Sequence, residues 1–239
     1  TARGLTKSSP VGGIKDLVFW FETTLSESFG EVEHEDEGSI TTWHDINPQS
    51  NINYILTQAT SAEKPTYVEN NLNGLPGISF DGSNDTFPFS SDVDFSQMKK
   101  QEFFCVLKRS GKSGYKVLFS QYESSAGKTS FLYRIYNANN DVNSGDYSVQ
   151  AVAPLDIQIF NAYLTPSTAA VRHDSETFTI KNAVSPINNA PLSTPVIGGR
   201  SDGVQSFKGI LYEVILFSRK LKSSEREAII DYLNKKWNL

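Results

Sequence analysis

The most acidic stretch of the chain is the first place where side chains could do chemistry. It reads Glu-Val-Glu-His-Glu-Asp-Glu over residues 31–37, and a retaining glycosidase needs two carboxylates about 5 Å apart. The residues that alternate with the glutamates are Val32, His34 and Asp36, so neither face of a strand here would be apolar. The pattern predicts a solvated acidic loop, with a cation-binding loop and a catalytic pair as alternatives. No catalytic residue is assigned from the sequence.

A denser group of oxygen-bearing side chains follows at Asp81, Asn84 and Asp85, in the run Asp-Gly-Ser-Asn-Asp. Hard cations prefer clustered oxygen ligands on a rigid turn, so these three residues are candidate calcium ligands. The same residue types also build tight turns, because Asx side chains cap the backbone and glycine supplies positive φ. A structural turn is therefore predicted, with calcium binding as the alternative. A second group of Asn and Asp residues is predicted to form a plain loop: Asn139, Asn140, Asp141 and Asp146.

The chain has three histidines and one cysteine. None of the histidines (His34, His44 and His173) has a partner at metal-ligand spacing, so surface positions or local hydrogen bonds are expected. Cys105 stands in an apolar run without a neighbouring base, which predicts a small buried hydrophobe and not a reactive thiol. No nucleotide-binding glycine motif occurs. No cofactor is required by these residues, and calcium is the only one they suggest.

Aromatic side chains could form a sugar-binding platform. Four of the ten tyrosines lie in or beside predicted strands and are candidates for it: Tyr122, Tyr133, Tyr136 and Tyr147. An aromatic residue in such a strand more often belongs to the core, and Trp20, Trp43 and Trp237 are all predicted to be core residues. The ligand-binding residues are therefore left unassigned.

The elements that must position these residues are mostly strands. About a dozen short runs rich in β-branched and aromatic residues are separated by Gly, Asn, Asp or Pro, which indicates a β-sandwich or barrel. Residues 1–13 are small and polar and are expected to form an arm or linker, whereas residues 14–239 are expected to form one domain. The net charge of −5 disfavours nucleic acid and anionic membranes as partners. Because the chain starts at Thr1, an upstream segment is expected to have been removed.

The last thirty-three residues complete the domain. Residues 207–217 are apolar on both alternating faces apart from Lys208 and Glu213, which predicts a strand buried on both faces. Ser224 and Glu227 stand at capping-box spacing and predict the start of a helix. An apolar stripe should dock this helix on the sheet: Ile229, Ile230, Leu233 and Trp237.

The order of these segments resembles the laminin-G-like branch of the concanavalin A-like lectin/glucanase superfamily. The matching pieces are Leu17–Trp20, Trp43-His44-Asp45, Lys64–Tyr67 with Asn73–Gly82, Val196–Gly199 and the closing strand and helix. The resemblance implies a two-sheet antiparallel jelly-roll β-sandwich with one C-terminal α-helix. Many laminin-G-like domains bind calcium at the rim of the sandwich, so the resemblance also implies that possibility. The superfamily includes glycosidases. Residues 1–10 resemble the junction after the hydrophobic helix of prepilin-like bacterial proteins.

The sequence thus predicts a non-enzymatic extracellular or bacterial cell-surface recognition module. Its expected partner is a carbohydrate or another cell-surface ligand, with adhesion as the role and display on a pilus-like filament as one setting. Self-assembly through residues 1–13 is the basis of one alternative, a structural subunit of a filament or phage tail. A glycoside hydrolase or lyase is the second alternative. No contact of this fragment with nucleic acid or membrane is expected.

Overall fold

The structure is a computed structural model. It describes residues 13–30, 34–90, 93–95, 98–111, 113–123, 128–144, 147–152, 154, 156–182 and 194–239. The arm predicted over residues 1–13 therefore lies outside the described residues except for its last residue, Gly13.

Strands dominate the described part of the chain. They are β1 Leu17–Glu22, β2 Thr42–His44, β3 Ile55–Thr57, β4 Thr66–Leu72, β5 Leu75–Asp81, β6 Phe87–Pro88, β7 Gln101–Arg109, β8 Tyr115–Glu123, β9 Lys128–Tyr136, β10 Asn139–Ser144, β11 Tyr147–Val152, β12 Ile157–Thr165, β13 Thr168–His173, β14 Thr179–Asn182, β15 Val196–Ile197 and β16 Lys208–Phe217. Two 3₁₀ helices, Ser26–Phe29 and Ser61–Glu63, and one α-helix, α1 Ser223–Trp237, complete the described elements. None of these helices is long and apolar enough to cross a bilayer.

The strands form two large sheets that face each other. The eight-stranded sheet has the order β14-β13-β12-β7-β16-β5-β4, with β1 paired to β16 beside this row. The six-stranded sheet has the order β11-β10-β9-β8-β15-β6, and β2 pairs with β3 in a small separate sheet. All of these strand pairs are antiparallel. The molecule is a two-sheet jelly-roll β-sandwich with a C-terminal helix, which confirms the predicted fold class.

Strand β16 lies in the middle of the larger sheet. Strand β7 runs along one side of it, while β5 and β1 share the other side, β5 beside its first half and β1 beside its second. Apart from Lys208 and Ile210, its side chains are buried on both faces, as the sequence predicts. A strand that is paired on both edges and covered on both faces is shielded from solvent, so it forms the centre of the sheet.

Aromatic rings fill the core between the two sheets. Phe19 of the larger sheet meets Phe119 of the smaller one edge to face at 5.4 Å. Phe103 stacks on Tyr133 across the same interface at 4.5 Å. Offset and edge-to-face contacts of this kind add to the free energy gained by burial alone.

The predicted core residues are confirmed. Trp43 is fully buried between the sheets, whereas Trp20 and Trp237 are buried on the opposite face of the larger sheet. Cys105 is also buried between the sheets, and burial raises the pKa of its thiol well above the ordinary value. A thiol in that environment stays protonated and unreactive.

Helix α1 covers the outer face of the eight-stranded sheet. Its apolar stripe is buried as predicted: Ile229, Ile230, Leu233 and Trp237. The predicted capping pair is wrong, because the residue that caps the helix is Lys222, two residues before the expected cap Ser224. Its third residue, Glu225, accepts the backbone N–H of Lys222 at 2.8 Å. Glu227 instead accepts a hydrogen bond from Arg172 of the sheet at 3.0 Å.

The C-terminal end of the helix is fixed by one buried ammonium group. Glu22 and Glu213 lie opposite each other on β1 and β16, and both side chains are fully buried. Like charges opposite each other destabilise a sheet, but Lys236 Nζ lies 2.7 Å from Glu22 Oε2 and 2.9 Å from Glu213 Oε2. Burial alone would raise the pKa of Glu22, yet Lys236 and the hydrogen bonds from Thr24 hold that pKa below its ordinary value.

We expect Lys236→Met to lower the free energy of unfolding by about 3–5 kcal/mol, because it leaves two buried carboxylates without their cation. Urea unfolding at pH 7 measures this loss. The matched control is Lys235→Met at an exposed neighbouring position, which should change stability by less than about 0.5 kcal/mol. The lowered pKa of Glu22 stabilises the fold above the unfolded pKa, and this contribution is lost as the pH falls through the folded pKa. The difference between wild type and Lys236→Met should shrink accordingly in acid; equal stability at pH 7 would contradict the assignment.

Candidate functional site

The acidic stretch over residues 31–37 is only partly described, because Glu31, Val32 and Glu33 lie outside the described residues. Glu35, Asp36 and Glu37 are exposed, as expected of a solvated loop. Asp36 accepts the backbone N–H of Glu69 at 2.8 Å, so its carboxylate serves to hold the loop against β4.

The three histidines make local contacts. His34 packs against the rings of Phe29 and Tyr67 with centroid distances of 5.0 Å and 5.7 Å, and burial lowers the pKa of its imidazole. His173 Nδ1 lies 3.0 Å from the carboxylate of Asp174, its neighbour in sequence. His44 is half-buried, and burial lowers its pKa too. Among the described residues, no group of three or more His, Cys, Asp or Glu side chains could hold a metal ion.

The calcium candidates form a tight turn. Asp81 Oδ1 accepts the backbone N–H groups of Ser83, Asn84 and Asp85 at 2.7–3.4 Å, and Asp85 Oδ2 accepts the backbone N–H of Asp81 at 2.8 Å. Gly82 supplies the positive φ of 80° that the turn requires. These carboxylate oxygens are thus engaged with the backbone of the turn. Calcium binding by Asp81, Asn84 and Asp85 stays a prediction.

The second group of Asn and Asp residues is not a loop, and that prediction is wrong. Asn139, Asn140 and Asp141 belong to strand β10, whereas Asp146 lies outside the described residues. Asp141 is fully buried and accepts three hydrogen bonds: from Arg134 Nε at 3.2 Å, Ser148 Oγ at 2.7 Å and Gln150 Nε2 at 2.7 Å. Strand pairing satisfies the backbone and side-chain partners satisfy the carboxylate, so Asp141 costs little here. Asn140 Oδ1, in contrast, is buried without a hydrogen-bond partner among the described residues.

These partners lie on the outer face of the six-stranded sheet, which we call the polar sheet face. It is the side opposite the inter-sheet core, where Phe131, Tyr133 and Ile135 of β9 point. Tyr115 of β8 and Tyr136 of β9 are cross-strand neighbours and stack at 4.1 Å with 15° between their planes. Arg134 lies over Tyr115, its guanidinium carbon 4.4 Å from the ring centroid. Tyr115 is therefore held between a second aromatic ring and a cation.

The four tyrosines predicted as candidates for a sugar-binding platform lie in different parts of the structure. Tyr133 is core, and Tyr136 lies on the polar sheet face. Tyr122 is half-buried with Arg200 stacked on its ring at 4.2 Å, and the side chain of Tyr147 is outside the described structure. Sequence reasoning missed Tyr115, because only the register of β8 against β9 places it opposite Tyr136.

A pair of carboxylates that the sequence did not reveal lies under helix α1, namely Glu22 and Glu213. Both are fully buried and bonded to Lys236, and Glu213 also accepts hydrogen bonds from the indoles of Trp20 and Trp237 at 2.7 Å. No substrate can reach this pair while the helix is docked. Its role is structural.

No protein-family model matches the chain, and no curated protein matches it. Solved structures, however, share its fold. The Trypanosoma rangeli sialidase in complex with sialic acid has a TM-score of 0.61 at 14% identity, over 92% of this chain and 33% of that chain. A mutant GH54 α-L-arabinofuranosidase soaked with 4-nitrophenyl α-L-arabinofuranoside has a TM-score of 0.57 at 14% identity, over 82% and 50%. The CBM40 module of a Ruminococcus gnavus IT-sialidase, bound to α2,3-sialyllactose, has a TM-score of 0.51 at 13% identity, over 65% and 95%.

The class that these comparisons support is a lectin-like β-sandwich of the kind found in sialidases and carbohydrate-binding modules. The chain spans about a third of the length of the sialidase chains, and at this identity the likeness concerns the fold. The prediction that the protein is not an enzyme is contradicted, because sialidases and an arabinofuranosidase are among the structures that share the fold. The laminin-G-like and prepilin-like resemblances stay predictions.

We expect Asp141→Asn to lower the free energy of unfolding by about 1–3 kcal/mol, because an amide cannot accept all three donors that face the carboxylate. Thermal or urea unfolding measures the loss. The control Asp231→Asn removes the same charge from an exposed position on helix α1 and should be neutral within about 0.5 kcal/mol. If the two variants were equally stable, Asp141 would not organise the polar sheet face.

Proposed function

We propose that this domain binds carbohydrate through the polar sheet face. The single observation that carries the proposal is the stack of Arg134, Tyr115 and Tyr136 beside a row of hydrogen-bonding side chains. Sugar rings offer apolar C–H faces to aromatic side chains and hydroxyl groups to amides and carboxylates, so their sites combine these two kinds of residue.

The geometry of this face suits an extended ligand. Gln150 is exposed on β11, and Asn139 and Asn143 are half-buried on β10, next to the stack on β8 and β9. Helix α1 covers the outer face of the other sheet, so the two outer faces differ in accessibility. The polar sheet face is thus the broad surface on which a glycan could lie across several strands.

Arg134 suggests which glycans to examine first. Its Nε already donates to Asp141 at 3.2 Å, so a ligand carboxylate would meet the Nη groups of this planar guanidinium. The position of the guanidinium over Tyr115 limits the side-chain entropy that binding would cost. Two of the proteins that share the fold are described with sialic acid and with sialyllactose, which are acidic sugars. An acidic sugar is therefore the first probe.

The extracellular or cell-surface location, a role in adhesion and display on a filament belong to this proposal on sequence grounds alone. The structural-subunit alternative depends on residues 1–13, almost all outside the described part of the chain.

A glycan array followed by calorimetry tests the proposal. We expect binding that Tyr136→Ala weakens about tenfold, equivalent to about 1.4 kcal/mol, whereas Tyr136→Phe, which keeps the ring, binds as wild type does. A domain that binds no glycan, or whose two Tyr136 variants bind alike with wild-type affinity, would overturn the assignment of this face.

Arg134 gives a second test. Arg134→Gln should remove any preference for 3′-sialyllactose over lactose. Arg219→Gln removes the same charge beside helix α1, where Arg219 pairs with Glu225 and Asp16, and should leave that preference unchanged. If Arg134→Gln still preferred 3′-sialyllactose over lactose, this guanidinium would be excluded as the group that binds the sugar carboxylate.

Glycoside hydrolysis is the second candidate function, favoured by the sialidases and the arabinofuranosidase that share the fold. Most glycoside hydrolases use two carboxylates that a substrate can reach, whereas sialidases use a tyrosine nucleophile. The buried pair Glu22 and Glu213 does not qualify for the first mechanism. Release of sialic acid from 3′-sialyllactose, or of 4-nitrophenol from 4-nitrophenyl α-L-arabinofuranoside, measures it directly. Turnover by the wild-type chain would establish this function, and its absence on both substrates would remove the support for these two activities.

A further inference from the structure

The ends of four neighbouring strands form one row at the rim of the polar sheet face. Tyr115 at the start of β8 pairs with Tyr136 at the end of β9. Tyr136 pairs with Asn139 at the start of β10, and Asn139 pairs with Val152 at the end of β11. Residues directly opposite each other on antiparallel strands share a face of the sheet, so all four side chains belong to the polar sheet face.

Tyr136 has one aromatic face to offer in this row. Its ring stacks on that of Tyr115 with a centroid distance of 4.1 Å and 15° between the planes. Rings so close and so nearly parallel lie face to face along the line that joins their two strands, so the second face of Tyr136 is turned towards β10 and β11. Tyr115 has no such face, because Arg134 lies over it.

The second face of Tyr136 looks across a short polar side chain to an exposed apolar one. Asn139 is half-buried, whereas Val152 is 73% exposed, more than any other large hydrophobic side chain of the described residues. Strands β9 and β11 are two strand spacings apart, or about 10 Å. Tyr136 and Val152 therefore form two apolar walls above a polar floor. We call this arrangement of Tyr136, Asn139 and Val152 the rim slot.

Polar side chains close the inner end of the rim slot. One row further from the rim, Arg134 and Gln150 both donate to Asp141, which is fully buried beneath them. At the outer end, Asn137 and Ala138 of the turn between β9 and β10 are exposed. A ligand can thus enter from the rim, but it cannot continue along β10 past the side chains that cover Asp141.

One sugar ring fits the chemistry of the rim slot. A pyranose ring has C–H groups on both faces and hydroxyl groups around its edge, so Tyr136 and Val152 can each contact one face. The edge of the ring would meet the amide of Asn139 at the floor and the donors of Arg134 and Gln150 at the inner end. The hydrogen bond from Asn139 Nδ2 to Gln150 Oε1 is long, at 3.5 Å, so this amide can turn to a ligand at little cost.

We propose that the rim slot binds the terminal sugar ring of an acidic glycan, edge first, with Tyr136 on one face of the ring and Val152 on the other. This inference rests on the proposed function of the polar sheet face and adds the class of ligand, which is a glycan end. An internal sugar is linked on two sides, and the closed inner end of the slot leaves room for one linkage only. The remaining sugars of the ligand lie outside the slot.

Calorimetry of the intact domain with 3′-sialyllactose and with free sialic acid tests the proposal. Val152→Ser removes one wall and should weaken both ligands alike, about fivefold, because the same ring is contacted in each. Asn139→Trp fills the slot and should weaken both by at least about a hundredfold. The control Ile180→Ser makes the same change as Val152→Ser at an exposed position of β14 on the other sheet, and it should bind as wild type does. Urea unfolding checks that each variant is folded.

The results separate the rim slot from the proposed function. If Tyr136→Ala weakens binding of 3′-sialyllactose but Val152→Ser and Asn139→Trp do not, the polar sheet face binds glycan and the slot is wrong. Binding of 3′-sialyllactose without binding of free sialic acid would show that the slot does not hold the terminal ring. Weakening in Val152→Ser that is confined to 3′-sialyllactose would show the same. A wild-type domain that binds neither ligand would overturn this inference, and one that binds no glycan at all would overturn the proposed function as well.

Discussion

The contact between the Lys236 ammonium and the carboxylates of Glu22 and Glu213 is the interaction on which the closed sandwich depends. The larger sheet carries apolar clusters on both faces. Its inner face packs against the six-stranded sheet, and its outer face has to be covered by another element. Helix α1 provides that cover, and Lys236 neutralises two carboxylates that β1 and β16 place opposite each other. Without this cation the pairing of β1 with β16 would bury two like charges, and burial of that kind is among the most costly changes in a folded protein.

A similar anchor holds the other end of the helix. Arg226 donates hydrogen bonds to both oxygens of the buried Glu102 of β7, and Glu102 also accepts the backbone N–H of Leu221 at 2.8 Å. Buried ion pairs contribute little net stability compared with apolar packing, but they specify one arrangement when every partner is satisfied. The two anchors thus fix the register of the helix on the sheet. They also decide which broad face of the sandwich is free for a ligand, since the helix occupies one.

Most of the fold was predictable from the sequence because apolar patterns specify it. The two-face burial of residues 207–217 and the stripe ending at Trp237 depend on periodicity alone, and the structure has both. Strands as short as β3 and β6, with three and two residues, have too few positions to show an alternating pattern. Strand β10 was missed because its Asn and Asp residues have the composition of a turn, and only pairing with β9 and β11 overrides that tendency. The stack of Tyr115 on Tyr136 depends on strand register, which no local pattern encodes.

The buried carboxylates of the described chain differ in how completely they are hydrogen-bonded. Glu22, Glu102, Glu213 and Asp141 each have partners for both oxygens, and each holds elements of the fold together. At Asp45 only Oδ1 has hydrogen-bond donors among the described residues, and its bonds from Trp20 and Asn47 fix the chain between β1 and β2. Burial raises the pKa of this carboxyl group to about 6, so fixing the chain here carries a cost of ionisation that the backbone hydrogen bonds offset in part.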